Sequence, residues 1–127
     1  MENTSPGRPR DPAVGERITS AAAEVFARQG WSGFSLDAVA RTAGVGKASI
    51  YLRWTDKESL LTDAMAAVFA PIADIDSGTL RGDLEQLALL LLTLYADGVR
   101  GTAARRIDVE SEVTEAVRER WATVLAE

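Results

Sequence analysis

Hydroxyl-bearing and cationic side chains recur between Ser35 and Lys57, and groups of these types can bind phosphates and the edges of nucleic-acid bases. Within this stretch Ala40, Gly44 and Ile50 are spaced four and then six residues apart. Ala40 lets two helices cross closely, Gly44 can take the positive φ that ends a helix, and Ile50 can bury between the helices. The spacing predicts a helix-turn-helix, whose second helix normally lies in the major groove of DNA.

The composition argues against an enzyme. The chain has no Cys and no His, which excludes thiol nucleophiles, disulfides, Cys/His zinc sites and histidine acid-base catalysis. Neither a glycine-rich phosphate loop nor a set of metal ligands is visible, so we expect no cofactor and no bound metal. The acidic residues near the C-terminus are typical of a solvated helix face, and they are Asp108, Glu110, Glu112 and Glu115.

Charge is distributed unevenly along the 127 residues, whose formal net charge is −5. Residues 1–57 carry eight basic and six acidic side chains, whereas the remainder carries six basic and thirteen acidic ones. Affinity for phosphate depends on the local basic face rather than on the total charge. The asymmetry fits a DNA-reading part followed by an acidic part, and an overall negative charge does not exclude it.

The sequence gives no sign of membrane insertion. The N-terminus is polar and lacks the apolar core of a secretory signal. The most apolar segment, Leu87–Leu94, is far shorter than the roughly 20 residues that span a bilayer. We therefore expect this segment to be a buried helix, with no membrane contact and a cytoplasmic location.

A first helix is predicted over about residues 12–29. Asp11 is a suitable N-cap, Pro12 suits the first helical position, and Gly30 is the C-cap candidate. Apolar residues recur at three- and four-residue steps and define one face, namely Val14, Ile18, Ala21, Ala22, Val25 and Phe26.

The second helix is predicted to begin after the N-cap Ser35 and to end near Ala43. Phe34 and Val39 have the spacing of a hydrophobic staple across its start. After a turn at residues 44–46, the third helix should run from about Lys47 to Arg53. In the fourth helix, Thr55 and Glu58 match a capping box, and the helix should end before Pro71.

The fifth helix is predicted from about Thr79 to Asp97, with apolar residues around most of its circumference and hence a central position in its layer. Gly98 and Gly101 should flank a turn. Residues 102–127 look helical, with a break near Ser111. No alternating strand pattern is visible, so the predicted fold class is all-α.

Four elements in order resemble the tetracycline-repressor (TetR) family of bacterial transcription regulators. They are GRPR at residues 7–10, AAAEVFARQGW at 21–31, AVARTAGVGKASIYLRW at 38–54 and TDKESLL at 55–61. The resemblance covers about residues 8–70. It implies a three-helix head with its helix-turn-helix at about 36–55, within a DNA-binding domain at 11–72 that follows a flexible arm at 1–10. It further implies a partial, bundle-type helical body at 73–127 for effector binding and dimerisation.

The resemblance implies contacts with a double-stranded DNA operator. Helical phase around a buried Ile50 already turns Ala48 and Leu52 toward the groove. With Leu52, the implied contact residues are Ser35, Lys47, Ala48, Ser49, Tyr51, Arg53 and Lys57.

Each contact has an alternative. A lysine at a helix N-terminus, such as Lys57, is locally unfavourable unless it serves a phosphate, and otherwise it is solvated. Arg53 has either a phosphate or Asp56 as partner. Arg8 and Arg10 either enter the minor groove or belong to a solubilising tail. For the other contact residues the alternative is packing or simple surface exposure.

Three departures from the family pattern affect the interface, at Gly46, Leu36 and Asp37, and the last two replace residues that often contact the DNA backbone. Gly46 stands where the family often has Ser, so the recognition helix should lack a side-chain cap. Asp37 would oppose a phosphate if it faced one, and we interpret it as a first-turn acid that satisfies the helix dipole. Fewer phosphate contacts predict weaker binding by a single head.

Family members commonly carry a small-molecule pocket beyond the fourth helix. Tyr95 and Trp121 are the candidates here, because each joins an apolar surface to a hydrogen-bonding tip; the alternative is that both are ordinary core residues. The family usually continues with two further long helices that build a homodimer, whereas this sequence stops where the seventh helix should be under way. The expected function is a ligand-responsive repressor. The alternative is a shortened member that pairs with a longer relative and does not bind DNA by itself.

Overall fold

The computed structural model describes residues 11–110 and the single positions Glu115 and Glu119. The described residues form helices joined by short loops and contain no strand, which confirms the all-α fold class. The helices are α1 (Pro12–Gly33), α2 (Leu36–Ala43), α3 (Lys47–Tyr51), α4 (Lys57–Ala73), α5 (Leu80–Ala96) and α6 (Arg100–Val109).

Helix α1 begins as predicted, because Asp11 Oδ1 accepts a hydrogen bond of 2.9 Å from the N–H of Ala13. Its regular part ends at the predicted glycine: Gly30 has φ 69° and ψ −173°, which kinks the helix before a last turn over residues 31–33. A Cβ at Gly30 would lie 2.7 Å from a guanidinium nitrogen of Arg106. The backbone conformation therefore favours glycine here, and a Cβ would in addition displace the end of the Arg106 side chain.

Helices α2 and α3 form the predicted helix-turn-helix. Ser35 Oγ accepts from the N–H of Ala38 at 3.1 Å, and Gly44 ends α2 in the left-handed conformation with φ 70°. Helix α3 has no side-chain cap at Gly46, as expected. It ends at Tyr51, two residues earlier than predicted, because the N–H groups that follow at residues 53 and 54 both turn back to the carbonyl of Ile50 at 2.9 Å.

The hydrophobic core lies where α1 packs against α2, α4 and α6, and Ile50 of α3 belongs to it. Each fully buried aliphatic or aromatic side chain in it contributes roughly 1.5–3 kcal/mol relative to exposure. The largest of these side chains are Phe26, Phe34, Ile18, Ile50, Leu60, Leu61, Met65 and Val39. This core fixes the orientation of the short α3, which is too short to be stable by itself.

The start and the end of α4 both differ from the prediction. Asp56, rather than Thr55, is the N-cap, since its Oδ1 accepts from the N–H of Ser59 at 2.7 Å. The helix also continues through Pro71 to Ala73. Pro71 is exposed and lies in the last turn, where a missing N–H removes one ladder bond near an end that frays in any case.

The prediction that α5 is a buried, central helix is wrong for the described residues. Leu94 is buried, but Leu89 is 65% exposed and Leu92 is 71% exposed. The reason is that α5 packs against α4 and α6 on one side, whereas its leucines surround the helix. Among the described residues no single helix is long and apolar enough to cross a membrane; one pair, Leu80–Ala96 with Arg100–Ile107, meets the length and composition criteria together but bends by 100°.

Helix α6 returns to pack on α1, with Ala103 and Ala104 buried in the contact. The predicted turn lies at residues 97–99, and Gly101 is the second residue of α6. A Cβ there would lie 3.0 Å from the carbonyl oxygens of Leu94 and Tyr95, so the glycine permits the close approach of α6 to α5. The helix ends at Val109 with an extended residue, Glu110. The predicted helix beyond Ser111 and the arm at residues 1–10 lie outside the described residues.

Candidate nucleic-acid interface

Helix α3 has the predicted orientation. Ile50 is fully buried, whereas Tyr51 is 55% exposed and Leu52 is 62% exposed. Ala48 is also exposed, and Ser49 is half-buried. The helix therefore offers a methyl group, an isobutyl group and a phenol to the outside, which suits contact with base edges and a phosphate.

The end of α3 is anchored to the rest of the fold by Trp54 and Arg53. The indole of Trp54 is buried and donates a hydrogen bond of 2.7 Å from Nε1 to Asp63 Oδ2 on α4. Arg53 donates to two backbone carbonyls, at 3.1 Å to Ser49 and at 3.3 Å to Asp11 at the start of α1. These bonds use part of the guanidinium, whose fork carries five donors.

Lys47, the first residue of α3, forms an ion pair with Asp37 in the first turn of α2. Its Nζ lies 3.0 Å from Asp37 Oδ1, and both side chains are more than half exposed. The hydrogen bond that Lys47 donates to Asp37, followed by the charge of the same carboxylate, raises the pKa of Lys47. The interpretation of Asp37 as a first-turn acid of α2 agrees with its position, but its partner across the turn was not foreseen.

Lys57 is held beside an aromatic pair rather than extending freely into solvent. Its Nζ lies 4.1 Å from the centre of the Trp31 ring, and it donates to the carbonyl oxygen of Phe34 at 3.4 Å. Trp31 in turn stacks on Phe34 with ring centroids 5.8 Å apart. The ammonium therefore lies at the backbone of Phe34, the residue before Ser35, while its own backbone belongs to the first turn of α4.

A second arginine, which the sequence analysis missed, braces the helix-turn-helix. Arg17 on α1 donates to the carbonyl oxygens of Ala43 at 2.6 Å and Gly44 at 3.4 Å, at the C-terminal end of α2. A cation at this position also complements the dipole of α2. The sequence could not predict this role, because Arg17 lies on the polar side of α1 and its partner Ala43 is 26 residues away, beyond the range of any helical periodicity.

The C-terminal end of α1 is bound to α6 by two charged side chains. Arg106 Nε donates to the carbonyl of Ala27 at 2.9 Å, and Glu110 Oε1 accepts from the N–H of Trp31 at 2.8 Å. The two side chains also pair with each other at 3.2 Å. They satisfy backbone groups that the kink at Gly30 leaves outside the helical ladder.

Of the two predicted effector residues, Tyr95 lies within the described part of the chain and Trp121 does not, so their pairing stays a prediction. Tyr95 lies on α5 and is 39% exposed, and Trp121 is outside the described residues, as are Arg8 and Arg10. A cleft of about 430 Å³ lies between α1, α4 and the α5–α6 turn, and Tyr95 is not among its lining residues.

Comparison with known proteins identifies the family. Residues 18–64 match the family described as bacterial regulatory proteins, tetR family. Residues 18–64 of the chain thus belong to the TetR family. The matched region contains the whole helix-turn-helix, and membership in a family of regulatory proteins agrees with the expectation that the chain is not an enzyme.

Two curated TetR-type proteins are similar over longer stretches. One is the DNA-binding transcriptional repressor TetR of Mycobacteroides abscessus, 36% identical over 93 residues, which are 65% of this chain and 49% of the relative. The other is the HTH-type transcriptional regulator AqdR of Rhodococcus erythropolis, 35% identical over 111 residues, which are 84% of this chain and 53% of the relative. The chain thus spans about half the length of these curated relatives.

A solved structure shows the same fold. It is a crystal structure from Mesorhizobium loti whose description assigns it to the TetR-family transcriptional regulators, with a TM-score of 0.55 and 24% identity. The superposition covers 91% of this chain and 62% of that one. The likeness extends to helices beyond the helix-turn-helix.

Proposed function

We propose that the protein is a sequence-specific DNA-binding transcriptional regulator that reads the major groove with α3. The observation that carries this proposal is the orientation of α3, which buries Ile50 and leaves Ala48, Tyr51 and Leu52 exposed on one surface. Recognition helices need an exposed face of this kind on a rigid support.

In this proposal the apolar and the polar groups have separate roles. Ala48 and Leu52 contact thymine methyl groups, and Lys47 reaches a guanine or a phosphate. Ser35 and Tyr51 donate hydroxyl hydrogen bonds to phosphates, and Ser49 contacts a base or a phosphate. Arg53 contributes the guanidinium hydrogens that its two backbone carbonyls leave unused.

Lys57 serves a phosphate at the start of α4. The Trp31 ring and the carbonyl of Phe34, the residue before Ser35, hold its ammonium in place. A positioned cation loses less side-chain entropy on binding than a freely moving one. Lys57 and Ser35 together then grip the same strand of the DNA backbone.

The proposal extends to the arrangement of the whole protein. Residues 11–72 form the DNA-binding domain, and residues 73–127 form part of a domain for effector binding and dimerisation. Repression fits the relative from Mycobacteroides abscessus, which is named a repressor. A small molecule that contacts Tyr95 and Trp121, arm contacts by Arg8 and Arg10 in the minor groove, a homodimer and a cytoplasmic location complete the proposal.

Fluorescence anisotropy on short duplexes from the region around the gene tests DNA binding, at low and moderate salt and against a scrambled duplex. Wild type should prefer one duplex. Lys57→Ala should weaken binding about tenfold, because a charge-assisted contact is lost. The dependence of log K on log salt should become shallower by about 0.9 per lost phosphate contact. Tyr51→Phe should lose less.

Arg81→Ala is the matched control, since it removes the same charge from an exposed side chain on α5. If Arg81→Ala weakened binding as much as Lys57→Ala, the assignment of a local phosphate contact would be wrong. Equal binding of every duplex would contradict sequence-specific reading.

A second candidate function is favoured by the exposed leucines of α5. In that case the chain is a protein-interaction module that pairs with a longer family member and does not hold an operator alone. The most exposed apolar side chains of α5 would supply the contact, and they are Leu80, Leu84, Leu89 and Leu92. Binding of DNA that appears only after a longer relative is added to the anisotropy assay would select this alternative.

A further inference from the structure

The ion pair between Asp37 and Lys47 connects the two helices of the helix-turn-helix at their N-terminal ends. Asp37 is in the first turn of α2, and Lys47 is the first residue of α3. Their oxygen and nitrogen atoms are 3.0 Å apart, with 59% and 57% of the side chains exposed. The pair is therefore formed in the free protein and remains open to a third charged group.

The position of Asp37 is unfavourable for contact with a polyanion. The first turn of a helix attracts anions through its free N–H groups and its dipole, and Ser35 has its hydroxyl at the same end of α2. Asp37 places a carboxylate there, which already satisfies the dipole. The same carboxylate accepts a hydrogen bond from the ammonium of Lys47 and balances its charge.

We propose that Asp37 competes with DNA phosphate for Lys47 and so sets the affinity of α3 for DNA below the value that its basic groups would give alone. This inference rests on the proposed function, since it assumes that α3 meets DNA. Asp37 is a positioning residue in this scheme, because it acts through Lys47.

The competition bears on specificity as well as affinity. Contacts with phosphate supply most of the non-specific binding of a DNA-binding protein, whereas contacts with base edges supply discrimination. A carboxylate that weakens one cationic contact lowers binding to every sequence and leaves contacts by Ala48 and Leu52 unaffected. Contacts with base edges then supply a larger share of the total affinity for DNA.

The test is Asp37→Asn, which keeps the size of the side chain and removes its charge. The matched control is Glu85→Gln, which makes the same change in net charge at an exposed residue of α5 that pairs with Arg81. Anisotropy titrations use the selected duplex and the scrambled duplex over a series of salt concentrations. Thermal unfolding of each variant confirms that it is folded.

Asp37→Asn should bind both duplexes about tenfold more tightly than Glu85→Gln at low salt. The slope of log K against log salt should become steeper by about 0.9, because Lys47 then neutralises one more phosphate. A residue with a merely structural role would give the opposite sign, since its loss weakens binding.

A double-mutant cycle with Lys47→Ala assigns the effect to the pair. The gain from Asp37→Asn should largely disappear when Lys47 is absent. An equal gain in both backgrounds would overturn the competition for Lys47, because it would show that Asp37 acts on the DNA directly.

The inference and the proposed function fail in different ways. If wild type binds selectively and Lys57→Ala weakens it, but Asp37→Asn equals Glu85→Gln, the inference alone is overturned. If wild type, Asp37→Asn and Glu85→Gln all bind neither duplex, both are overturned.

Discussion

Helices α1 and α5 are both rich in aliphatic side chains, but they use them differently. Helix α1 has its apolar residues on one face and buries Ile18, Val25 and Phe26 against α2 and α4. Helix α5 has leucines around its circumference and buries Leu94, while Leu89 and Leu92 remain exposed. A single apolar face indicates which side of a helix packs against the rest of the protein. Apolar residues around the whole circumference predict burial but do not indicate which element packs against each side.

A matched pair of truncations gives the largest contrast between the two helices. Phe26→Ala in α1 should lower the free energy of unfolding by about 3–5 kcal/mol, because it leaves a cavity in the core. Leu92→Ala in α5, which is 71% exposed, should change it by about 0.5 kcal/mol or less. Urea denaturation followed by circular dichroism measures both. A large cost at Leu92 would show that its face is covered in solution, and repeating the titration at several protein concentrations would reveal whether a second copy covers it.

A second comparison between α1 and α5 concerns glycine residues at the end of each helix. Gly30→Ala should cost about 2 kcal/mol, since alanine is strained at φ 69° and its Cβ would displace Arg106 and Glu110. Gly98→Ala is the control in the turn after α5, where a Cβ would meet nothing within 4 Å. Thermal unfolding should show a clear fall in Tm for the first variant and little change for the second. Equal Tm values would mean that the kink at Gly30 is not required.

Substitution of the adjacent residues Arg105 and Arg106 on α6 tests how much the contact between α6 and α1 contributes to stability. Arg106→Ala should lower stability by about 1.5 kcal/mol, because the carbonyl of Ala27 loses its side-chain donor and Glu110 loses its ion pair with Arg106. Arg105→Ala should have little effect, since Arg105 is exposed and donates to Thr102. Hydrogen exchange should show the loss concentrated at the end of α1. Faster exchange in α5 instead would place the stabilising contact elsewhere.

The smallest expected effect concerns the start of α5. Hydrogen bonds from the backbone and the hydroxyl of Ser77 lower the pKa of Asp83. A lowered folded-state pKa means that the carboxylate stabilises the fold above its unfolded pKa and that this contribution is lost as the pH falls through the folded pKa. An NMR titration should therefore find Asp83 below the ordinary range for aspartate. Ser77→Ala should move it back toward that range, whereas Thr93→Ala at the other end of α5 should leave it unchanged.

Local sequence signals predicted most of the helix-turn-helix. Asp11, Ser35 and Gly44 occupy the cap and turn positions that their chemistry predicts, because caps depend on bonds within a few residues. The same reasoning placed the cap of α4 one residue early. Thr55 and Asp56 are both good caps, and their sequence does not say which one is used.

In the candidate interface, too, features within one helix were predictable and contacts between helices were not. Helical phase predicted that Ala48 and Leu52 face outward, since Ile50 alone determines the buried side. The contacts of Lys47 with Asp37, of Arg53 with Asp11 and of Lys57 with Trp31 were not predictable, because each partner lies on another helix or loop. The braces from Arg17 to Ala43 and from Arg106 to Ala27 join residues far apart in the chain and follow no local spacing.

The sequence by itself determined the class of fold, the order of the helices, the turn at Gly44 and the outward face of α3, because these follow from backbone conformation and from periodicity within one helix. The tertiary structure alone decided that α5 keeps exposed leucines and that Asp37 holds Lys47. It also decided that α6 closes on the kink at Gly30. These features depend on which distant residues meet, and that is settled by the packing of all the helices together rather than by any one segment.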